Sequence, residues 1–360
     1  MNINEIIMLI LALFLLVGGM DYVAGNRLGL GEKFQEGITS MGTLALVIVG
    51  IVSLAPVIAN VLTPIVTPLY TWIGADPSTF ANTILALDMG GQALAEQMAE
   101  SNEAALFAWV FLGTMLGPTI SFTIPVALTM ITKQDHSYFA KGIMIGISTI
   151  PIGCLIGGFY AGFDWSMMVR NLVIPIVFSI SILIGLLLFA DKMIKLFFWL
   201  GKIVTTIALI GLIAIGIETI TEITVIPGLA PLEDGIQIVG LIAIVLAGAF
   251  PLVAAITKLA SKHLEKIGHR LRINSASTAG LIASVAHVIP MLALVPQMNE
   301  RGKVINVAFA VSGAFVFGGH LGFVAGIESS MVTAMIIGKL SAGISALTVA
   351  LLLTSSENSN

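Results

Sequence analysis

Apolar blocks of roughly twenty residues follow one another along almost the whole chain, and about twenty apolar residues are what a helix needs to cross a ~30 Å hydrocarbon layer. Charged residues are 10% of the 360 and hydrophobic residues 57%; a soluble domain carries about 25% charged residues to coat its surface. Lipid offers no partner to backbone N–H and C=O groups, so each segment has to satisfy its own hydrogen bonds as a helix. The fold class expected is all-α: a polytopic transmembrane helix bundle forming a single integral membrane domain over 1–360. The net charge of −4 provides no basic face for nucleic acid.

About eleven segments stand out by length and polarity: 6–20, 41–62, 80–98, 104–131, 139–163, 172–190, 193–217, 236–256, 276–298, 304–327 and 331–353. The stretch 63–74, with Pro64, Pro68 and Trp72, is too short to span and reads as a half-helix or a re-entrant piece. The first segment has neither a basic leader nor a small-residue cleavage site, so it reads as a retained span. Lys258, Lys262, Lys266, Arg270 and Arg272 crowd the loop after the eighth segment, and Glu218, Glu222, Glu233 and Asp234 hold the loop before it. Basic loops stay in the cytoplasm, and counting back places the N-terminus inside, in a multi-pass membrane protein. Arg301 and Lys303 conflict with that count unless the segment before them is a hairpin.

The chain also repeats itself. EGITSMGTLALVIVG (36–50) aligns without a gap to DGIQIVGLIAIVLAG (234–248), ALAEQM (93–98) to ALVPQM (293–298), and GPTISF (117–122) to GGHLGF (318–323). The constant order points to duplication, with halves at approximately 1–165 and 170–354. Duplicated halves with Gly- and Pro-broken helices are a pattern of secondary transporters, which bind cargo at the repeat interface near the midplane. The span count makes the halves parallel; one miscounted crossing would make them inverted.

Few polar residues lie deep in these segments. Asp88 sits midway along 80–98 beside Gly90 and Gly91, and a carboxylate at the bilayer centre costs at least ~2.5–3.5 kcal/mol. On one helix, Asp88, Gln92 and Glu96 form a stripe at i, i+4 and i+8, a set of acceptors suited to an ammonium group. In the matching part of the second half, His287 falls one place from the Asp88 equivalent. His320, after Gly318 and Gly319, marks another glycine-broken segment, with Glu328 eight residues on. Thr119 and Ser121, between Pro118 and Pro125, add hydroxyls, although such hydroxyls mostly bond their own backbone. Each of these residues also has a plain structural reading as an interhelical hydrogen-bonding group. The lone Cys154, inside an apolar run, reads as a packing thiol. HExxH, GxSxG and GxxxxGK[ST] patterns are absent, so no enzyme chemistry, metal site or cofactor is expected.

The strings INEIIM, SLAPVIANVLTPIVTPLY, LDMGG, LGPTISFTIPVAL, TIPIGCLIGG and FVFGGHLGF together resemble the EutH family of ethanolamine permeases, and the resemblance runs from the first residues to the last segment. It implies transport of ethanolamine, a small amino alcohol that is mostly cationic at neutral pH, with membrane lipid as the surroundings and a homo-oligomer such as a dimer as a possible assembly. The residues expected to bind it are Asp88, Gln92, His287, His320, Glu328, Thr119 and Ser121. An ion-coupled carrier of another small amine, or a membrane amine sensor that does not transport, are the alternatives left open.

Overall fold

The structure, a computed structural model, describes residues 2–355 as fourteen helices, with no strand among the described residues. Eight helices are long and apolar enough to cross a membrane, which makes the chain an all-α membrane bundle. Helix α1 (Ile3–Val23) begins at a capping box in which Asn2 and Glu5 satisfy each other's backbone amides,. Helix α2 (Gly31–Ile73) continues through Pro56, Pro64 and Pro68 and ends at Gly74, whose φ of 77° stops it,. The stretch 63–74 is therefore the end of a long helix, neither a half-helix nor a re-entrant piece.

Two of the eleven expected segments are hairpins of short helices rather than single long helices. Helices α3 (Ser78–Ile84) and α4 (Gly91–Met98) fold back on each other, and Asn82 Nδ2 donates to Gly91 O at 2.8 Å. The two ends of this hairpin meet: Asp76 accepts from Ser78 N at 2.9 Å with one carboxylate oxygen and from Glu100 N at 3.0 Å with the other. Further along come α5 (Asn102–Met130), α6 (His136–Tyr160), α7 (Trp165–Leu188), α8 (Ala190–Thr221) and α9 (Leu232–Arg270). The second hairpin is α10 (Ser275–Ala286) and α11 (Val288–Leu294). Its ends meet too, through Asn274 Nδ2 to Gln297 O at 2.8 Å and Ser277 Oγ to Asn299 Oδ1 at 3.2 Å. The final crossings are a broken one, α12 (Glu300–Gly313) followed by α13 (Gly319–Ile327), and α14 (Val332–Ser355).

The hairpins enter from opposite ends of the bundle. The first has its mouth at the start of α5. The second adjoins the start of α12, where Lys303 Nζ bonds Asp135 Oδ1 at 2.5 Å just past the far end of α5. The matched stretches 36–50 and 234–248 likewise run antiparallel. A Cβ on Gly37 would meet the Ala247 backbone, and one on Gly235 would meet Val49. These are reciprocal positions of the internal alignment, so one of its three shared glycine positions, Gly37 with Gly235, is explained by close approach of α2 and α9. The span count made these stretches parallel because it took 80–98, which lies between them, as one helix rather than a hairpin.

Helix α5 is the centre of the bundle, with Phe107, Trp109, Phe111, Leu112 and Met115 fully buried. Two π-helical turns, Phe107–Leu112 and Thr119–Thr123, interrupt it. The rims of α7 and α8 expose Val173, Ile180, Ile184, Ile203, Ile210 and Ile213, an apolar outside that suits lipid.

Candidate functional site

The hairpin tips approach each other in the middle of the bundle. The first tip is pressed onto α5: a Cβ on Gly117 would run into Leu85 O, and Ala86 N donates to Ser121 Oγ at 3.1 Å. Ser121 Oγ itself donates to Gly117 O at 2.8 Å. The turn Leu87–Met89 carries Asp88 and ends at Gly90, which has a φ of 96° and lies against Ile51. A β-carbon there would be both strained and blocked.

The second tip rests on the unwound stretch between α12 and α13. Phe315 N donates to Ser284 O at 3.0 Å and Phe317 N to Val285 O at 2.9 Å, so this irregular backbone stays paired at membrane depth,. Gly318 passes so close to Ala286 O that no side chain would fit. Phe315 holds a left-handed φ of 62°, a conformation disfavoured for a bulky residue, and this aims its ring between two imidazoles. The ring centroids lie 4.8 Å from His287 and 4.8 Å from His320. Phe122 of α5 closes the group, 6.1 Å from Phe315 and 6.2 Å from His287.

A cavity of about 300 Å³ lies between the tips, lined by Asp88, His287, His320, Phe122, Phe315 and Thr205 among others. That is the lower end of the range for small-molecule sites. Among the described residues, no Lys, Arg or His forms an ion pair with the Asp88 carboxylate. His287 also lines a second space of about 600 Å³, together with Lys33, Glu36, Phe250 and Lys258. This vestibule reaches the exposed Lys33–Glu36 pair, and His287 stands between it and the inner cavity.

Three of the residues singled out in the sequence, Asp88, His287 and His320, share the inner cavity, and the other four do not line it. Gln92 is buried in α4 and bonds Glu96. Asp88 precedes the Gly90 turn, so the helical stripe Asp88–Gln92–Glu96 does not form. Thr119 Oγ1 donates to Met115 O at 2.7 Å and Val311 O at 3.2 Å, joining α5 to α12. Ser121 supports the first tip, as described. Glu328 lies beyond α13 and accepts from Ser330 Oγ at 2.5 Å.

One polar residue escaped the sequence reading. Lys339 of α14 is fully buried, with Nζ 2.6 Å from Thr114 O and 3.1 Å from His320 Nδ1. Its signal was present: it is the one charge within the apolar run 331–353. Phe122 and Phe315 were missed because an aromatic in an apolar segment looks like any other packing residue. Among the described residues, no cluster of His, Cys, Asp and Glu has the spacing of a metal site.

Helices that cross a membrane around two re-entrant hairpins, with a carboxylate-lined cavity where the tips meet, define a multi-pass integral membrane protein with a solute-sized interior site. The chain belongs to the EutH family: the family model described as "Ethanolamine utilisation protein, EutH" matches residues 3–353. It is 58% identical to the uncharacterized protein YxeR of Bacillus subtilis, covering 99% of this chain and 97% of that protein. It is 53% identical to the probable ethanolamine permease EutH of Listeria monocytogenes, covering 97% and 94% respectively. It is 39% identical to the probable ethanolamine permease EutH of Escherichia coli, covering 99% and 97%. No solved structure matches.

Proposed function

We propose that this protein is a transporter that moves ethanolamine across the cytoplasmic membrane, with Asp88 holding the substrate's ammonium group. The observation that carries the reading is the unpaired Asp88 carboxylate on an interior cavity. A charge removed from water needs a partner of opposite sign, and here the cation has to come from outside the protein. The rings of Phe122 and Phe315 add π-faces that attract a cation, and the cavity of about 300 Å³ has room for a small amino alcohol. The names of the Listeria and E. coli relatives support the same substrate.

The basic residues support an orientation opposite to the one counted from sequence. With both hairpins re-entrant, the N-terminus lies outside and the C-terminus inside. Arg27, Lys33, Lys133, Lys192, Lys195, Lys258, Arg270, Arg272, Arg301 and Lys303 then share the cytoplasmic side, and Glu218, Glu222, Glu233 and Asp234 face out. Arg170 is an exception. The earlier conflict at Arg301 and Lys303 disappears, and the vestibule at Lys33 and Glu36 faces the cytoplasm.

Uptake of labelled ethanolamine into proteoliposomes tests the assignment. Losing one partner of a buried charge pair costs about 2–5 kcal/mol, so Asp88→Asn should lower uptake about 30-fold or more while the protein inserts normally. Uptake like that of the wild type would remove Asp88 from the mechanism. Stronger competition by choline or ammonium than by ethanolamine would reassign the cargo, and binding without flux would make the protein a sensor.

A further inference from the structure

We propose that Lys339 is a positioning residue that fixes His320 as a hydrogen-bond donor to the hydroxyl end of an amino-alcohol substrate; the proposal rests on the ethanolamine reading above. Lys339 lies in the first third of α14 with no exposed surface, and no carboxylate pairs with it among the described residues. A buried amine nitrogen needs hydrogen-bond partners in place of water, and Lys339 has two. The first is Thr114 O. Within α5 the natural donor to that carbonyl is the residue four places on, which is Pro118 and has no N–H. Proline thus frees an acceptor at the depth of Lys339.

The second partner is His320 Nδ1 at 3.1 Å. In this proposal Nζ donates to both Thr114 O and Nδ1, so Nδ1 presents its lone pair and the neutral ring carries its proton on Nε2. No protein group bonds Nε2 among the described residues, and the ring lines the cavity. His287 is fixed in the same sense, because its Nδ1 accepts Ile289 N at 3.1 Å. The cavity therefore has an acceptor end at Asp88 and a donor end at His320 backed by Lys339. That polarity turns an ammonium toward Asp88 and leaves the hydroxyl oxygen, an acceptor, for Nε2–H. An alkylamine with a methyl group in place of the hydroxyl would leave that donor unpaired.

The test is competition against labelled ethanolamine in proteoliposomes of the full chain, using unlabelled ethanolamine and unlabelled n-propylamine, which match in charge and size. In the wild type, propylamine should compete about tenfold more weakly or worse, as expected of a site whose polar group goes unpaired. In Lys339→Met, the two amines should compete within a few-fold of each other, whatever the absolute uptake. A purely structural role for Lys339 would lower uptake and leave that ratio unchanged, which would overturn the proposal. The histidine nitrogen NMR spectrum of the wild type gives a reading that needs no Lys339 variant to fold. The signal lost in His320→Gln should show Nδ1 bare and Nε2 protonated, and the reverse pattern would overturn the proposal, as would equal competition by both amines in the wild type. Asp88→Asn separates this from the underlying reading: if the hydroxyl assignment alone fails, uptake still depends on Asp88.

Discussion

The amide of Ala86 donates to Ser121 Oγ at 3.1 Å, so the tip of the first hairpin hangs from the central helix by a hydroxyl. Gly117, one turn away, lets the tip come close enough for that bond. Ser121→Ala leaves a buried amide unsatisfied and should destabilise the protein by about 1–3 kcal/mol. Gly117→Val should push Leu85 away and abolish uptake, even where the protein still reaches the membrane. Thermal unfolding in detergent, run beside ethanolamine uptake, checks both.

Asp76 holds the first hairpin closed at its mouth through Ser78 N and Glu100 N, while its own amide donates to Asn171 Oδ1 at 2.6 Å. Replacing it with Ala orphans two amides and should cost about 2–4 kcal/mol. Hydrogen exchange should then rise across 78–98 before it rises in α5, and uniform exchange would show that the mouth is not held by this residue.

Lys303 and Asp135 form an ion pair in which both side chains are largely buried, with exposures of 13% and 6%. Breaking such a pair from one side costs about 3–5 kcal/mol, whereas an apolar replacement of both partners is often close to neutral. Lys303→Met alone should therefore lower unfolding resistance sharply, and Lys303→Met with Asp135→Leu should recover most of it. A double variant as weak as the single one would contradict this account.

Orientation is open to direct test with Cys154→Ala as background. A cysteine at Asn2 should react with a membrane-impermeant thiol reagent on intact cells, and one at the exposed Arg27 only after permeabilisation. The opposite pattern would restore a cytoplasmic N-terminus.

The membrane bundle was legible because apolar blocks with so few charges admit no other solvent. Asp88, His287 and His320 were legible because a polar group in oil needs a reason, and the structure gathers all three. Thr119 and Ser121 looked similar, but hydroxyls satisfy backbone carbonyls at little cost, and these two hold helices together. The hairpins were hidden because 80–98 and 276–298 have the length and polarity of a crossing. Only the sidedness of Arg301 and Lys303 betrayed them. Lys339 was overlooked although its charge obeys the same reasoning as Asp88.

The vestibule that stops at His287 also shapes how this protein would experience voltage. In the orientation proposed, water and mobile ions penetrating to that depth would carry the cytoplasmic potential inward, so the electric field would fall mainly across the thin remaining layer between the tips and the outer face. A monovalent cation travelling from the outer surface to Asp88 would traverse most of that drop, worth about 2.3 kcal/mol per 100 mV for a full crossing. Inside-negative polarisation would then draw cargo inward without a coupling ion.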